Sequence, residues 1–420
     1  MTEGSSSIPV VAIIDPGMIR HQMMSAFQSQ IDFQLVTVIE NLENAAREIR
    51  ALQPEIIIVD HIVADQLSLD VIDDLCIQFP NKSVIALLPE NDPELAQQVM
   101  FAGARAFLVQ PFTQVDLLNT LRRVYALEER RRMAQTPVAT IDDPGSSDPL
   151  QVITVFSPRG GVGCSTVAIN LAVALHEQID GRTLLMEGKL HFGHLGLMLN
   201  IRPRNSIAEL IPHASSLDAA LIEDVVVEHA TGIEVLISPP SLEMSQGIKP
   251  DDMLNVLRGV RPLYDFVVID AGSFLNENTV TLMDMSDRVL LIANPDLASL
   301  HDVSRFIQVS RTLGYPPGKV LVILNRAGML GGVKTKDIES ALHQPPFVEI
   351  PEDGTKAIRS LNRGVPMYFK YPRNPVSRSI RHLAKTLADI GVEEQSKTKR
   401  GSSPSVLPKL RERISPSQAS

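Results

Sequence analysis

The 420-residue sequence has no tryptophan, 4% aromatic residues and two cysteines. So few aromatic rings leave little stacking surface for the bases of single-stranded nucleic acid. The two cysteines, Cys76 and Cys164, fall in different predicted domains, so we expect no disulfide framework and no zinc or iron–sulfur cluster within one chain. No apolar run approaches the roughly 18 residues of a membrane span, and residues 1–7 do not have the pattern of a signal peptide. These absences favour a cytoplasmic protein.

The sequence also has no excess of basic residues; its formal net charge is −10. Nucleic-acid-binding proteins normally present a basic face, so we do not expect sequence-specific DNA binding. The length predicts two or three domains. Polar, proline-containing residues 135–149 cannot bury a core and are interpreted as a linker. The predicted units are a first domain over 1–134, a second over 150–392 and a disordered basic tail over 393–420.

The tail contains one apolar pattern of interest. Leu407, Leu410 and Ile414 fall on one face of a helix, with basic residues between them. Such a segment is either a short amphipathic helix that touches a membrane surface or a partner, or simply part of a disordered basic tail.

The first domain alternates apolar runs with amphipathic helical stretches. The runs are typical of buried parallel strands, and the pattern predicts an α/β fold; they cover 10–14, 56–59, 83–88 and 106–109. This part of the chain resembles the receiver domain of two-component response regulators, which is a flavodoxin-like fold. The resemblance places the phospho-acceptor at Asp60, which ends the third run, and a magnesium-holding acidic residue at Asp15.

The receiver pattern is incomplete. Asp15 is followed by proline rather than by a second acid, Leu88 stands where a hydroxyl residue is expected, and Gln110 replaces a lysine before Pro111. Magnesium and a phosphoryl group would therefore be held less tightly. Asp60 is either a phospho-acceptor or, as we favour, a polar residue that ends a strand. We interpret the domain as a pseudo-receiver that serves protein–protein interaction.

The second domain begins with a strand, a glycine-rich loop and a helix. Apolar residues 152–156 precede the glycines, and residues from 166 onward carry apolar side chains at helical spacing. Glycines let successive N–H groups point at one anion, and the helix N-terminus adds positive charge. The loop is either a phosphate site or a turn that only joins strand to helix. The candidate nucleotide-binding residues are Arg159, Gly160, Gly161, Val162, Gly163, Cys164, Ser165 and Thr166.

Further strands complete a predicted doubly wound, mostly parallel P-loop sheet. Residues 264–270 form an apolar run that ends at Asp270, which we expect to hold Mg²⁺ together with Ser165. Runs at 288–293 and 319–325 follow. In such sheets ligands bind beyond the carboxyl ends of the strands, where Asn325 falls. ATP with Mg²⁺ is the expected ligand.

Residues 159–165 resemble the deviant Walker A loop of the MinD/ParA ATPases. The order of later segments, together with the receiver-like domain, is similar to the CpaE/TadZ branch of pilus-assembly proteins; these segments are 184–193, Asp270, Asn325–Arg326, 350–353 and 362–366. The resemblance implies a homodimer across the nucleotide, adenine contacts from Asn325 and from the loop that starts at Pro351, and partners in pilus or secretion assembly. Asn325 is alternatively a residue that turns the chain after a strand.

Three positions depart from the family pattern. The signature lysine that reaches the partner's nucleotide corresponds to Arg159, which keeps the charge. The ordinary P-loop lysine is Cys164, which we expect to be packed rather than nucleophilic. The acid-x-acid segment reads Glu187-Gly188-Lys189, so a lysine stands where a carboxylate positions attacking water. Lys189 either reaches the phosphates or is merely solvated.

These features predict a nucleotide-binding localisation factor with weakened or lost hydrolysis, in the cytoplasm and at the inner face of the cell membrane. One alternative is an active MinD/ParA-type ATPase that cycles on membrane or DNA. A second is a two-component response regulator, which the incomplete receiver pocket disfavours.

Overall fold

The computed structural model describes most of both domains. The described residues are 7–14, 18–28, 30–40, 42–63, 66–67, 69–89, 92–135, 151–202 and 204–401. The predicted metal ligand Asp15, the linker beyond Gln135 and the segment with Leu407 and Ile414 lie outside them.

The first domain is a parallel sheet covered by helices on both faces. Its strands are β1 (Ile8–Ile13), β2 (Phe33–Ile39), β3 (Ile56–Asp60), β4 (Ile62–Val63), β5 (Gln66–Leu67), β6 (Ser83–Leu88) and β7 (Ala106–Val109). Its helices are α1 (Met18–Phe27), α2 (Leu42–Leu52), α3 (Leu69–Gln78), α4 (Pro93–Phe101) and α5 (Gln114–Gln135). Five strands pair in the order β2-β1-β3-β6-β7, all parallel, which is the flavodoxin-like order. Strands β4 and β5 form a separate antiparallel pair.

The four predicted strands of this sheet are present, and β2 was missed. Every residue of β3 and β6 is buried, since helices cover both faces of these inner strands. Strand β2 lies at the edge and alternates buried, half-buried and exposed side chains. The sequence therefore shows no continuous apolar run at this strand.

The second domain has a larger sheet. Its strands are β8 (Gln151–Phe156), β9 (Thr183–Glu187), β10 (Val227–Glu228), β11 (Glu234–Leu236), β12 (Phe266–Gly272), β13 (Arg288–Ala293), β14 (Val320–Ala327) and β15 (Val348–Pro351). Its α-helices are α6 (Cys164–Ile179), α7 (Leu195–Met198), α8 (Ala219–Val225), α9 (Leu242–Gln246), α10 (Pro250–Val260), α11 (Glu277–Met285), α12 (Leu297–Thr312), α13 (Thr335–Leu342), α14 (Gly354–Leu361), α15 (Met367–Lys370) and α16 (Pro375–Gly401). Short 3₁₀ helices cover Ile207–Glu209, Ile211–Ser216 and Arg261–Leu263.

The strand order of this sheet is β10-β11-β9-β12-β8-β13-β14-β15. Only β10 runs antiparallel to its neighbour, so the prediction of a mostly parallel sheet is confirmed. Strand β8 pairs with β12 on one side and with β13 on the other. The loop after β8 therefore opens at the middle of the sheet's carboxyl edge, where doubly wound folds bind ligands.

Helix α16 corrects the predicted end of the second domain. The helix continues to Gly401, so the disordered tail that we expected from residue 393 does not begin there. Residues 393–400 are mostly Glu, Gln, Lys and Arg without proline, and these residues favour a helix once one has started. Earlier in the helix, Ile380, Leu383 and Leu387 pack in one core cluster with Leu171 and Leu175 of α6.

The two domains also pack against each other. Met100 of α4 belongs to the same buried cluster as Phe156, Phe306 and Leu313 of the second domain, and Phe107 of β7 packs against that cluster. Within the described part of the chain, no helix has both the length and the apolar character needed to cross a membrane.

Candidate phosphate-binding site

The glycine-rich loop connects β8 to α6 and leaves the start of the helix open. Gly161 and Gly163 have φ of 79° and 104°, a left-handed region that side-chain-bearing residues rarely adopt. Helix α6 begins at Cys164, and no side chain among the described residues caps its first turn. The N–H groups of that turn are therefore available to an anion, as the sequence predicts.

A hydroxyl and a buried carboxylate lie at the start of this helix. Asp270 on β12 is 1% exposed, and its side chain hydrogen-bonds the Ser165 hydroxyl. Burial raises the Asp270 pKa to about 6, and the nearby Glu187 charge also raises it, whereas the Ser165 hydrogen bond and the Lys189 charge oppose the rise. The pair fits the predicted Mg²⁺ site. The described residues contain no group of three acidic, His or Cys side chains that could hold a metal, so the ion would also need phosphate and water oxygens.

Lys189 lies in the same crevice. Its backbone N–H donates to the Asp270 carbonyl oxygen at 3.1 Å. Its aliphatic chain runs over Gly272, where an added Cβ would lie 3.1 Å from Lys189 Cδ. The charge interacts electrostatically with both Asp270 and Cys164. These contacts place Lys189 next to Asp270 and Gly272, and its reach toward phosphates stays a prediction.

Cys164 is packed beneath the loop. Its side chain is 7% exposed, and burial raises the pKa of its thiol well above 9.0, with the Asp270 charge contributing in the same direction. The thiol is therefore neutral and a poor nucleophile, in agreement with the prediction that Cys164 is packed.

Glu187, the remaining acid of the switch segment 187–189, has a structural role. It is 2% exposed and accepts hydrogen bonds from the N–H of Leu195 at 2.9 Å and from the N–H and hydroxyl of Ser238 at 2.9 and 2.8 Å. These contacts fix the start of α7 and the end of β11 next to the switch segment. Sequence reasoning missed Ser238, since a serine 51 residues away carries no local signal.

Residues near the end of β14 hold the loop from the side. Asn325 Nδ2 donates to the Val162 carbonyl oxygen at 2.7 Å, and Arg326 Nη2 donates to the Gly161 carbonyl oxygen at 3.2 Å. The Asn325 amide nitrogen, which we expected near adenine, is thus used to clamp the loop. Arg326 was missed as a loop contact. Pro351 ends β15 and pairs with Ala327, so it lies along the same sheet edge.

Arg159 starts the loop and remains largely in solvent. Its side chain is 45% exposed, and Nη1 lies 3.4 Å from Asp302 Oδ2 on α12. Exposed ion pairs of this kind contribute about 1 kcal/mol or less, so the guanidinium can leave Asp302 at little cost.

Comparisons with known proteins agree with this geometry. Residues 150–314 match a family model described as an AAA domain. An uncharacterized ATP-binding protein of Methanocaldococcus jannaschii is 30% identical over 244 residues, which are 57% of this chain and 89% of that protein. The septum site-determining protein MinD of Thermotoga maritima is 24% identical over 250 residues, again 57% of this chain and 89% of that protein. This chain belongs to the MinD/ParA family of P-loop ATPases.

Solved structures of the family share the fold of the second domain. A ParA family ATPase from Chlorobium tepidum has a TM-score of 0.53 at 24% identity, covering 56% of this chain and 98% of that chain. MinD from Pyrococcus horikoshii, solved with Mg-ADP, has a TM-score of 0.51 at 24% identity, covering 58% and 98%. The family model leaves out the first domain.

The MinD/ParA domain is thus joined to a first domain with its own polar site. Asp60 is 4% exposed and ends β3. Its Oδ1 accepts from the His61 N–H at 2.8 Å and from Gln110 Nε2 at 2.9 Å. Gln110 therefore takes the place of the expected lysine beside Asp60, and Leu88 is fully buried. The His61 ring nitrogen Nδ1 also lies 3.1 Å from Asp60 Oδ1, and no lysine or arginine of the described residues forms an ion pair with this carboxylate, which fits a strand-ending role.

Proposed function

We propose that this protein binds Mg-ATP in its MinD/ParA domain and uses the bound nucleotide as a conformational switch, with hydrolysis slow or absent. The observation that carries the proposal is the location of Lys189, whose side chain packs on Gly272 and whose charge interacts with both Asp270 and the P-loop cysteine. The chain lacks the ordinary P-loop lysine, which is replaced by Cys164, and carries another lysine, Lys189, in the same crevice. The Mg-ADP bound by Pyrococcus MinD shows that the related fold accepts this class of ligand.

Binding and turnover depend on different groups in this site. The glycine cradle, the Ser165–Asp270 pair and a lysine favour binding of a phosphate chain with its metal. Turnover also requires a group that accepts a hydrogen bond from the attacking water. Lys189 cannot accept one, and Glu187 is committed to Leu195 and Ser238. The site therefore retains what holds a nucleotide and has lost the carboxylate that would orient water.

We further propose that two copies pair across this face. Large apolar side chains follow β9, β13 and β14, whose carboxyl ends share one edge of the sheet with the P-loop. They are strongly exposed in the monomer: Phe192 76%, Leu197 76%, Leu297 79% and Leu330 101%. An apolar rim around a polar centre is typical of a protein interface. The exposed guanidinium of Arg159 would then leave Asp302 and reach the partner's nucleotide.

The first domain would supply the partner contacts of a localisation factor. Its sheet order is that of flavodoxin-like receivers, and the side-chain amide of Gln110, rather than a lysine, donates to Asp60. We propose a pseudo-receiver that docks onto proteins of a pilus or secretion machine, in the manner of the CpaE/TadZ branch, on the cytoplasmic side of the membrane.

The deciding experiment measures binding and turnover on one sample of the full chain. Equilibrium binding of a fluorescent ATP analogue with and without Mg²⁺ is run beside a phosphate-release assay. Metal-dependent binding without release supports the proposal. Absence of binding refutes it. Steady release would instead favour the active MinD/ParA-type ATPase, for which the intact Ser165–Asp270 pair and the exposed Arg159 are the supporting features.

A further inference from the structure

Helix α11 connects the first domain to the nucleotide site. Its first residue, Glu277, is held entirely by the first domain: Oε1 accepts from the Phe107 N–H at 2.8 Å, and Oε2 lies 2.6 Å from Arg123 Nη2. The Arg123 and Glu277 side chains are 12% and 16% exposed. Near the end of the helix, Asp284 Oδ1 lies 3.7 Å from Nη1 of Arg105, another first-domain residue.

The opposite side of α11 touches the switch segment. Leu282 is fully buried, and a Cβ added to Gly188 would lie 2.8 Å from its Cδ1. Gly188 immediately precedes Lys189 in the switch segment. Any shift of α11 toward or away from the sheet would therefore displace the backbone that carries Lys189.

The loop that leads into α11 also touches the site. Gly272 supports the side chain of Lys189, and an added Cβ at Gly160 of the P-loop would lie 3.5 Å from Ser273 Oγ. The Gly272 carbonyl oxygen accepts from the Ser157 N–H at 3.1 Å. Four residues separate Gly272 from Glu277. Contacts that restrain Glu277 therefore also restrain Gly272 through a short, packed stretch of chain.

We propose that the first domain is a positioning element of the nucleotide site: Phe107 and Arg123 fix Glu277, and α11 thereby sets the place of Gly188 and Lys189. Nucleotide binding and domain docking are then linked, and each must strengthen the other by the same factor. The nucleotide part of this inference rests on the proposed function. The positioning part concerns the protein alone and can be tested without nucleotide.

The test compares two neighbouring arginines of α5. Arg123→Ala removes one of the two contacts that hold Glu277 and leaves the hydrogen bond from the Phe107 N–H. Arg122→Ala is the matched control, because Arg122 pairs with Asp32 at 2.8 Å on the open surface, with side chains 54% and 52% exposed. Hydrogen–deuterium exchange is followed over residues 187–194 and 270–276 without nucleotide, and the affinity for the Mg-bound ATP analogue is measured in parallel.

We expect Arg123→Ala to speed exchange in both segments and to weaken nucleotide binding at least fivefold, the lower end of common allosteric couplings. Arg122→Ala should change neither. The reversed pair, Arg123→Glu with Glu277→Arg, restores the ion pair but leaves the Phe107 N–H without its acceptor, so it should recover only part of the slow exchange. Glu277→Gln, which keeps an acceptor for the Phe107 N–H, serves as the gentler variant should Arg123→Ala fail to fold.

Two results separate this inference from the proposed function. Faster exchange confined to β7 and α5, with 187–194 unchanged, overturns the positioning role even if the protein binds ATP. Conversely, a wild-type protein that binds no nucleotide refutes the proposed function, while faster exchange at 187–194 in Arg123→Ala still supports positioning by the first domain.

Discussion

Replacing Lys189 with alanine is the most direct perturbation of the proposed nucleotide switch. The Lys189 charge interacts with Asp270 and with Cys164, and Cys164 begins α6, where we propose that phosphates bind. Removing one charged hydrogen bond costs about 1.5–3 kcal/mol, and each 1.4 kcal/mol is about a tenfold change in affinity. We therefore expect Lys189→Ala to weaken Mg-ATP binding by about 10- to 150-fold.

The assay is a titration of the fluorescent ATP analogue at fixed Mg²⁺, with the melting temperature as a check on folding. Lys189→Arg keeps a cation and should retain most of the affinity. Lys370→Ala serves as the control for loss of a lysine, because Lys370 is exposed on α15. Phosphate release should not increase in any of these variants, since none supplies a carboxylate to orient water.

Unchanged affinity of Lys189→Ala would refute the reasoning. Tighter binding would refute it in a more informative way, because it would mean that Lys189 neutralises Asp270 and competes with Mg²⁺ for that carboxylate. Both outcomes leave the fold intact, so the melting temperature separates them from a general loss of structure.

Three further predictions follow from single features of the structure. The double variant Cys164→Lys with Lys189→Asp rebuilds the family's usual cation and carboxylate. Phosphate release should therefore appear in the double variant and in neither single variant. Equal rates of phosphate release in all three variants would contradict this. Burial raises the Cys76 pKa to about 12 and the Cys164 pKa well above 9.0, so iodoacetamide at pH 8 should label neither cysteine in the native protein and both after denaturation. Labelling of either cysteine in the native protein would contradict this. Burial lowers the pKa of His229 below 6.5, so on acidification the unfolded state binds a proton before the folded state does, and the free energy of unfolding should fall as the pH drops below about 6.5. In urea titrations between pH 7 and 5, the free energy of unfolding of His229→Gln should fall less than that of the wild type. An equal fall in both proteins would exclude His229 as the cause.

The sequence predicted those parts of the site whose signals are local. The strand, the glycines and the helix of the P-loop are contiguous, so their pattern alone indicated the phosphate cradle. Asp270 ends a long apolar run and was placed correctly at the carboxyl edge of the sheet. The two departures, Cys164 and Lys189, were visible because the family pattern gave each position an expected residue.

The contacts that fix these groups could not be predicted, since they join distant segments. Ser238 meets Glu187, Asn325 meets Val162, and Phe107 meets Glu277 only after the sheet has formed. A single sequence gives spacing within one element and says little about which loop lies opposite another. The end of α16 was missed for a different reason, because charged residues that are typical of disordered tails are also good helix formers.

The two domains depart from their patterns in a similar way. In the second, a carboxylate expected near the attacking water is replaced by Lys189; in the first, Gln110 stands where a charged partner for a phosphoryl group is expected, and its amide already donates to Asp60. Both changes replace groups that act during phosphate chemistry. Gln110 lies only three residues after Phe107, whose N–H holds Glu277 and α11. A protein bound near Asp60 would therefore influence the nucleotide site through β7 and packing, without any phosphoryl transfer to the first domain.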